Sequence, residues 1–264
     1  MNIIAQEIKN NKRSMIIWVS SMAAIIIVFM QLYPAMLNQA EAYKQMVSQF
    51  PKEVLDAFSI DIDTLLSFNG FYGYIFTYLS IALGIMGMNL GIGLFSKEIT
   101  GKTADFLLTK PLTRTKIVTY KIAAGIWIVL VTNILLTLFT LVMKLLLEDN
   151  GEGLSVMLLI SLSGFLIQLV FFALGVFLGI LRKRIRFIAS FSMSVVFAFY
   201  LLSMVSRLME EEILYYLTPF SYFDANALIM KGSYETRYLI LTFVIVLVFL
   251  SLSYVVFKKK DIHA

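Results

Sequence analysis

The sequence predicts an all-α polytopic membrane protein with six transmembrane helices and both termini in the cytoplasm. Three observations lead there. Hydrophobic residues make up 59% of the 264 residues and charged residues only 15%, whereas a soluble domain is about 45–50% apolar and about 25% charged. Six stretches of 20 or more residues carry no Asp, Glu, Lys, Arg or His, and each is long enough to cross a hydrocarbon layer of roughly 30 Å as a helix. The basic residues between those stretches alternate from side to side. Together these exclude a soluble, disordered or collagen-like chain. The chain has no cysteine, which excludes disulfides and thiolate metal sites.

Residues 1–13 place Ile3, Ile4 and Ile8 on one helical face and Glu7, Lys9 and Lys12 elsewhere. That pattern suits a short N-terminal amphipathic interfacial helix on the inner leaflet. The first span follows at 14–33. Its apolar run exceeds the roughly 7–15 residues of a signal-peptide core, so it reads as a retained span. Residues 34–70 form an acidic outer loop, in which Pro51–Phe58 reads as a short helix with proline in its first turn. Leu55 and Phe58 are the residues expected to pack there. The second span runs 71–95.

Residues 96–121 form a basic loop with an apolar Phe106-Leu107-Leu108 cluster. Thr103 is a possible N-cap and Pro111 a stop for a short helix. Such a helix suits docking into another protein's groove. A basic loop that only sets topology fits the same residues. The third and fourth spans are 122–143 and 154–181, and the latter is long enough to tilt. Residues 182–186 are basic. The fifth span, 187–206, leads to a second outer segment, 207–237, whose Leu217–Asp224 stretch suggests short interfacial helices. The sixth span, 238–257, ends in three lysines.

On this reading 16 of the 22 Lys and Arg lie on the side of the termini, and 13 of the 17 acidic residues lie on the other. The excess of Lys and Arg places the termini in the cytoplasm. The net charge of +5 divides into +12 inside and −7 outside. It therefore reports orientation rather than nucleic-acid binding.

Catalytic motifs are missing from the sequence. Gly101-Lys102-Thr103 resembles the end of a phosphate-binding loop, but position 96 is Ser96 where the motif needs glycine. His263 is the single histidine, so neither a histidine zinc site nor a Ser-His-Asp triad is expected in the spans. Gly87–Gly91 and Gly175–Gly179 are GxxxG pairs, read as helix-packing positions. Asn89, Asn133 and Gln168 are the strongest polar groups in the spans. They suit interhelical hydrogen bonds, or uncharged contacts along a pathway.

Within the 96–121 loop, Glu98-x-x-Gly101, then Phe106-Leu-Leu-x-x-Pro111-Leu-Thr-Arg114 and Lys121, resemble the cytoplasmic loop of ABC-2 type transporter permeases. In that family a Gly-Thr step is usual where Lys102 intervenes here, and a glycine is usual where Tyr120 stands. Phe50–Phe58 and Phe71, Leu217–Phe223, and the closing Phe257–Asp261 resemble the family's outer loops and end, so the resemblance covers the chain. It implies the membrane-spanning subunit of an ATP-driven exporter in a bacterial cell membrane, not catalytic by itself. Its implied partners are two ABC ATP-binding subunits, a second permease copy or homologue, and the lipid bilayer, with no nucleic acid. This chain would hold no cofactor or metal, and ATP and Mg would be used by the partner ATPase. The resemblance also implies that Glu98, Gly101, Phe106, Leu107, Leu108, Pro111 and Arg114 couple to the ATPase, with 182–186 a second contact. Uncharged, aromatic-rich spans suit an amphipathic peptide, antibiotic or lipid-like cargo. An ATP-independent channel or secondary transporter, and a structural or sensory subunit without transport, are the alternatives. The lack of charge inside the spans speaks against an ion- or proton-driven carrier.

Overall fold

The computed structural model describes residues 3–100, 113–147, 153–182, 187–209 and 211–259, without the side chains of 62, 63, 97–100 and 114. Among these the chain is helical and contains no strand. The expected spans lack enough charge to be solvated. In lipid their backbone groups find partners only within a helix.

The first helix, α1 (Ile3–Met30), absorbs the expected interfacial segment and runs into the first span without a break. No glycine or proline lies between Ile3 and Met30 to interrupt it. Four short helices form the following outer segment: α2 (Tyr33–Asn38), α3 (Ala40–Val47), α4 (Lys52–Ala57) and α5 (Ile62–Leu65). Pro51 stands at the N-cap of α4, and Leu55 on α4 is buried while Phe58 keeps 37% of its surface exposed. Three long helices come next: α6 (Phe68–Thr100), α7 (Arg114–Leu147) and α8 (Leu154–Leu181). After α9 (Ile188–Met209) come three short helices, α10 (Glu212–Tyr215), α11 (Pro219–Tyr222) and α12 (Ala225–Lys231). The last helix is α13 (Thr236–Lys259). Six helical segments, beginning with α1 and continuing with α6, α7, α8, α9 and α13, are long and apolar enough to cross a membrane.

The centre is the pair α6 and α8, which run side by side in the same direction. Within their most apolar windows 89% of α6 and 72% of α8 is buried, against 17% of α13. The two GxxxG pairs explain how the backbones come so close. A Cβ built on Gly87 would lie 2.5 Å from the Gln168 carbonyl oxygen, and one on Gly91 2.4 Å from that of Phe172. From the other side, a Cβ on Gly175 would lie 2.5 Å from the Met88 carbonyl, and one on Gly179 2.9 Å from the Ile92 Cα. Any side chain at these four positions drives the helices apart. This is dispersion packing of backbone on backbone, which holds helices together where lipid removes the hydrophobic drive.

Around this pair, α1 and α7 pack together on one side, α9 on another and α13 against α8. Their outer faces expose residues such as Ile17, Leu201 and Leu247. The two ends of the bundle differ. At the base, the start of α1, the end of α6, the start of α7 and the end of α13 come together. Phe95 meets Phe257 edge-on at 6.0 Å, and the Thr119 and Tyr254 hydroxyls are 2.9 Å apart. At the opposite, distal end sit the short helices α2–α5 and α10–α12.

Replacing Gly91 or Gly175 by leucine is expected to lower the thermal midpoint of the detergent-solubilised protein. The cost should reach or exceed the roughly 1–3 kcal/mol typical of overpacking. Leu247→Ala on the exposed face of α13 is the control, expected to stay within about 0.5 kcal/mol.

Candidate transport pathway and coupling region

The three span amides do different things. Asn133 on α7 donates from Nδ2 to the Gln168 Oε1 on α8 at 2.6 Å and to its own Val129 carbonyl at 2.9 Å. Gly164 makes room for this pair, since a Cβ there would stand 3.1 Å from Asn133 Oδ1. Asn133 and Gln168 therefore join α7 to the central helix, as expected of amides away from water. Asn89 on α6 does not join them. Its Oδ1 is buried and has no hydrogen-bond partner among the described residues.

Asn89 instead lines a cavity of about 240 Å³ in the half of the bundle nearer the base. Asn11, Ser14, Met15 and Trp18 of α1 form one wall, Met86, Leu90 and Gly93 of α6 another, and Ile128, Ile188 and Ala189 add to them. This lining is apolar with a few uncharged hydrogen-bonding groups. Among the described residues it contains no ionised side chain. The chemistry it offers is contact with an apolar body and acceptance of one or two hydrogen bonds.

Of the residues implied to couple to the ATPase, Gly101, Phe106, Leu107, Leu108 and Pro111 lie outside the described residues, as does the 183–186 segment. Glu98 falls in the last turns of α6 and Arg114 opens α7, with their side chains outside the description. The roots of the loop are well placed. Lys121, on α7, is 1% exposed. Its Nζ lies 2.5 Å from Glu7 Oε1 on α1, donates to the Leu94 carbonyl of α6 at 2.7 Å and stands 5.7 Å from the Phe95 ring. A buried ammonium is costly unless paired and hydrogen-bonded, and removing one partner of such a pair costs about 3–5 kcal/mol. Sequence reasoning missed this pair. The signal was the spacing Glu7, Asn11, Ser14, Trp18, a polar stripe on one face of α1. It fits a buried face as well as a lipid interface.

The distal end holds a second, wider cavity of about 630 Å³ with charges of both signs. Arg207 of α9 pairs with Asp224 at 3.2 Å, and Ser59 donates to the same carboxylate oxygen at 2.9 Å. The other oxygen of Asp224 caps α12 at Ala227, and Asn226 donates to the Ser59 carbonyl at 2.8 Å. Ser59 adopts φ 54°, a left-handed conformation that its two contacts to the second outer segment hold in place. Arg237 takes Glu212 and Glu235 at 2.6 Å each and lies over the Tyr238 ring. The Lys231 hydrogen bond, aided by Arg237, holds the Glu235 carboxyl below its ordinary range. Burial pushes the Tyr222 and Tyr234 phenols up to about 12, so both remain neutral donors, to the carbonyls of Tyr216 and Leu159. The buried Lys144 of α7 stands 4.4 Å from the Phe68 ring centroid. Much of this end's charge is thus spent on fastening its two outer segments.

Comparison with known proteins agrees with this architecture. A family model described as "ABC-2 family transporter protein" matches residues 1–262. Nothing among the curated proteins matches.

Two stability outcomes are expected. In a double-mutant cycle, Asn133→Leu and Gln168→Leu should each destabilise, with a coupling of about 0.6–1.7 kcal/mol between them. Asp224→Ala removes an ion pair and a helix cap, and should cost about 2–4 kcal/mol in thermal unfolding. It should also speed tryptic cleavage at Lys52.

Proposed function

The chain belongs to the ABC-2 transporter family, and from that premise we propose that it is the permease of an ATP-driven exporter. The match over residues 1–262 is the observation that carries the reading. Membership makes the chain a membrane transport component of an ABC transporter. The further steps are ours. Two ATP-binding subunits dock at the base, where both termini face the cytoplasm of a bacterial cell. They supply the ATP and Mg chemistry, and this chain supplies no catalytic group. A second permease copy or homologue completes the pathway.

In this mechanism Glu98, Gly101, Phe106, Leu107, Leu108, Pro111 and Arg114 form the docking element. Phe106, Leu107 and Leu108 would fill a groove on the ATPase, with Arg114 at its rim. Movement of that element passes to α6 and α7, whose ends flank it. Helices packed backbone to backbone resist bending, so α6 and α8 would shift as one body. The cavity at Asn89 is the candidate first contact for cargo. Its apolar walls and few uncharged polar side chains, Asn11, Ser14 and Asn89, suit an amphipathic peptide, antibiotic or lipid-like molecule.

Two substitutions test the reading. Phe106→Glu with Leu107→Glu should abolish co-purification with the ATP-binding subunit and the hydrolysis that the permease stimulates. Survival of both would remove the docking element from the mechanism. Asn89→Leu should leave assembly and thermal midpoint unchanged, since that oxygen holds no helix, yet lower efflux of a dansylated amphipathic peptide from inside-out vesicles. Unchanged efflux would move the cargo site elsewhere.

A further inference from the structure

Lys121 closes the loop motif, in a stretch that reads from sequence as a basic cytoplasmic loop. It lies inside the chain instead. Its ammonium collects a carboxylate from α1, a carbonyl from α6 and the face of an α6 ring. Leu94 lies six residues before the end of α6, and Lys121 seven after the start of α7. Both helices that border the 101–113 segment are therefore fastened to one point within about two turns of it. The third element at that point, α1, comes from the far end of the sequence. Glu7 stands one helical turn before Asn11, and Asn11, Ser14, Met15 and Trp18 form the α1 wall of the cavity at Asn89.

An apolar contact would let these helices slide past one another. Two charge-assisted hydrogen bonds at a buried point fix their register. We infer that Glu7 and Lys121 are a positioning pair that makes α1 part of the coupling unit. Displacement delivered at the cytoplasmic loop then moves the α1 wall of the cavity together with α6 and α7. This inference rests on the permease reading above, since it needs an ATP-driven displacement to transmit.

The test exploits the absence of cysteine from the chain. Asn10→Cys on α1 and Lys116→Cys on α7, both exposed, take spin labels with no background site. The distance between them is measured in the nanodisc complex with its ATP-binding subunits, without nucleotide and after vanadate trapping. With Glu7 and Lys121 intact, the distribution should be narrow and the same in both states. Glu7→Gln with Lys121→Met removes both charges together, which avoids leaving one buried and unpaired. That variant should still assemble, but its label distance should broaden and change on trapping, and its stimulated ATP hydrolysis should fall several-fold. Lys121→Arg, which keeps the charge and the donors, should preserve the narrow, unchanging distance.

A pair with only a structural role would lower the thermal midpoint and leave the distance insensitive to nucleotide, and that result overturns the inference. So does a wild-type distance that itself shifts on trapping. If the wild-type chain recruits no ATP-binding subunit, the permease reading fails and the coupling role with it. If the wild-type complex forms and the double variant behaves identically, the positioning pair alone is rejected.

Discussion

The backbone contact between α6 and α8 is the constraint on which the rest of the bundle depends. In water, a large apolar side chain at an interface adds stabilisation by leaving solvent. In lipid that gain is absent, and close approach matters more. Gly87, Gly91, Gly175 and Gly179 remove side chains where each helix presents a carbonyl or Cα to the other. The spacing of four residues puts both glycines of a pair on one face, and the parallel course of the helices brings the two faces together. The remaining spans arrange themselves around this pair.

Polar groups then fix what packing leaves loose. Dispersion contacts are non-directional, so α7 would be free to rotate against the core. The Asn133–Gln168 hydrogen bond sets its angle in the middle of the span. At the base, Lys121 sets α1 and α6 against α7. At the distal end, Arg207, Asp224 and Ser59 join the two outer segments to α9. A chain with only 15% charged residues places several of them at these junctions, where the low dielectric makes a misplaced charge expensive.

This division also frames the proposed mechanism. A stiff central pair with peripheral helices joined at defined points behaves as a few bodies rather than a fluid bundle. The cavity at Asn89 lies between the central α6 and the peripheral α1 and α9. The outer faces of α1, α9 and α13 carry exposed apolar residues. They suit lipid or a second permease, and neither use needs a charged group.

Much was legible from the residues alone. Six uncharged stretches dictated six helices, because a backbone in lipid must satisfy itself within each segment. The GxxxG pairs marked their own packing faces, and Pro51 marked the start of α4. These are local or periodic properties, and each span meets its condition by itself. The tertiary structure alone decided which amide becomes glue and which faces a cavity. Asn89 and Asn133 are the same side chain in similar apolar runs, and only their rotation about the core separates them. It likewise decided that Lys121 points inward to Glu7. Both belong to segments that read as surface, and a pairing between residues 114 positions apart depends on how three helices meet.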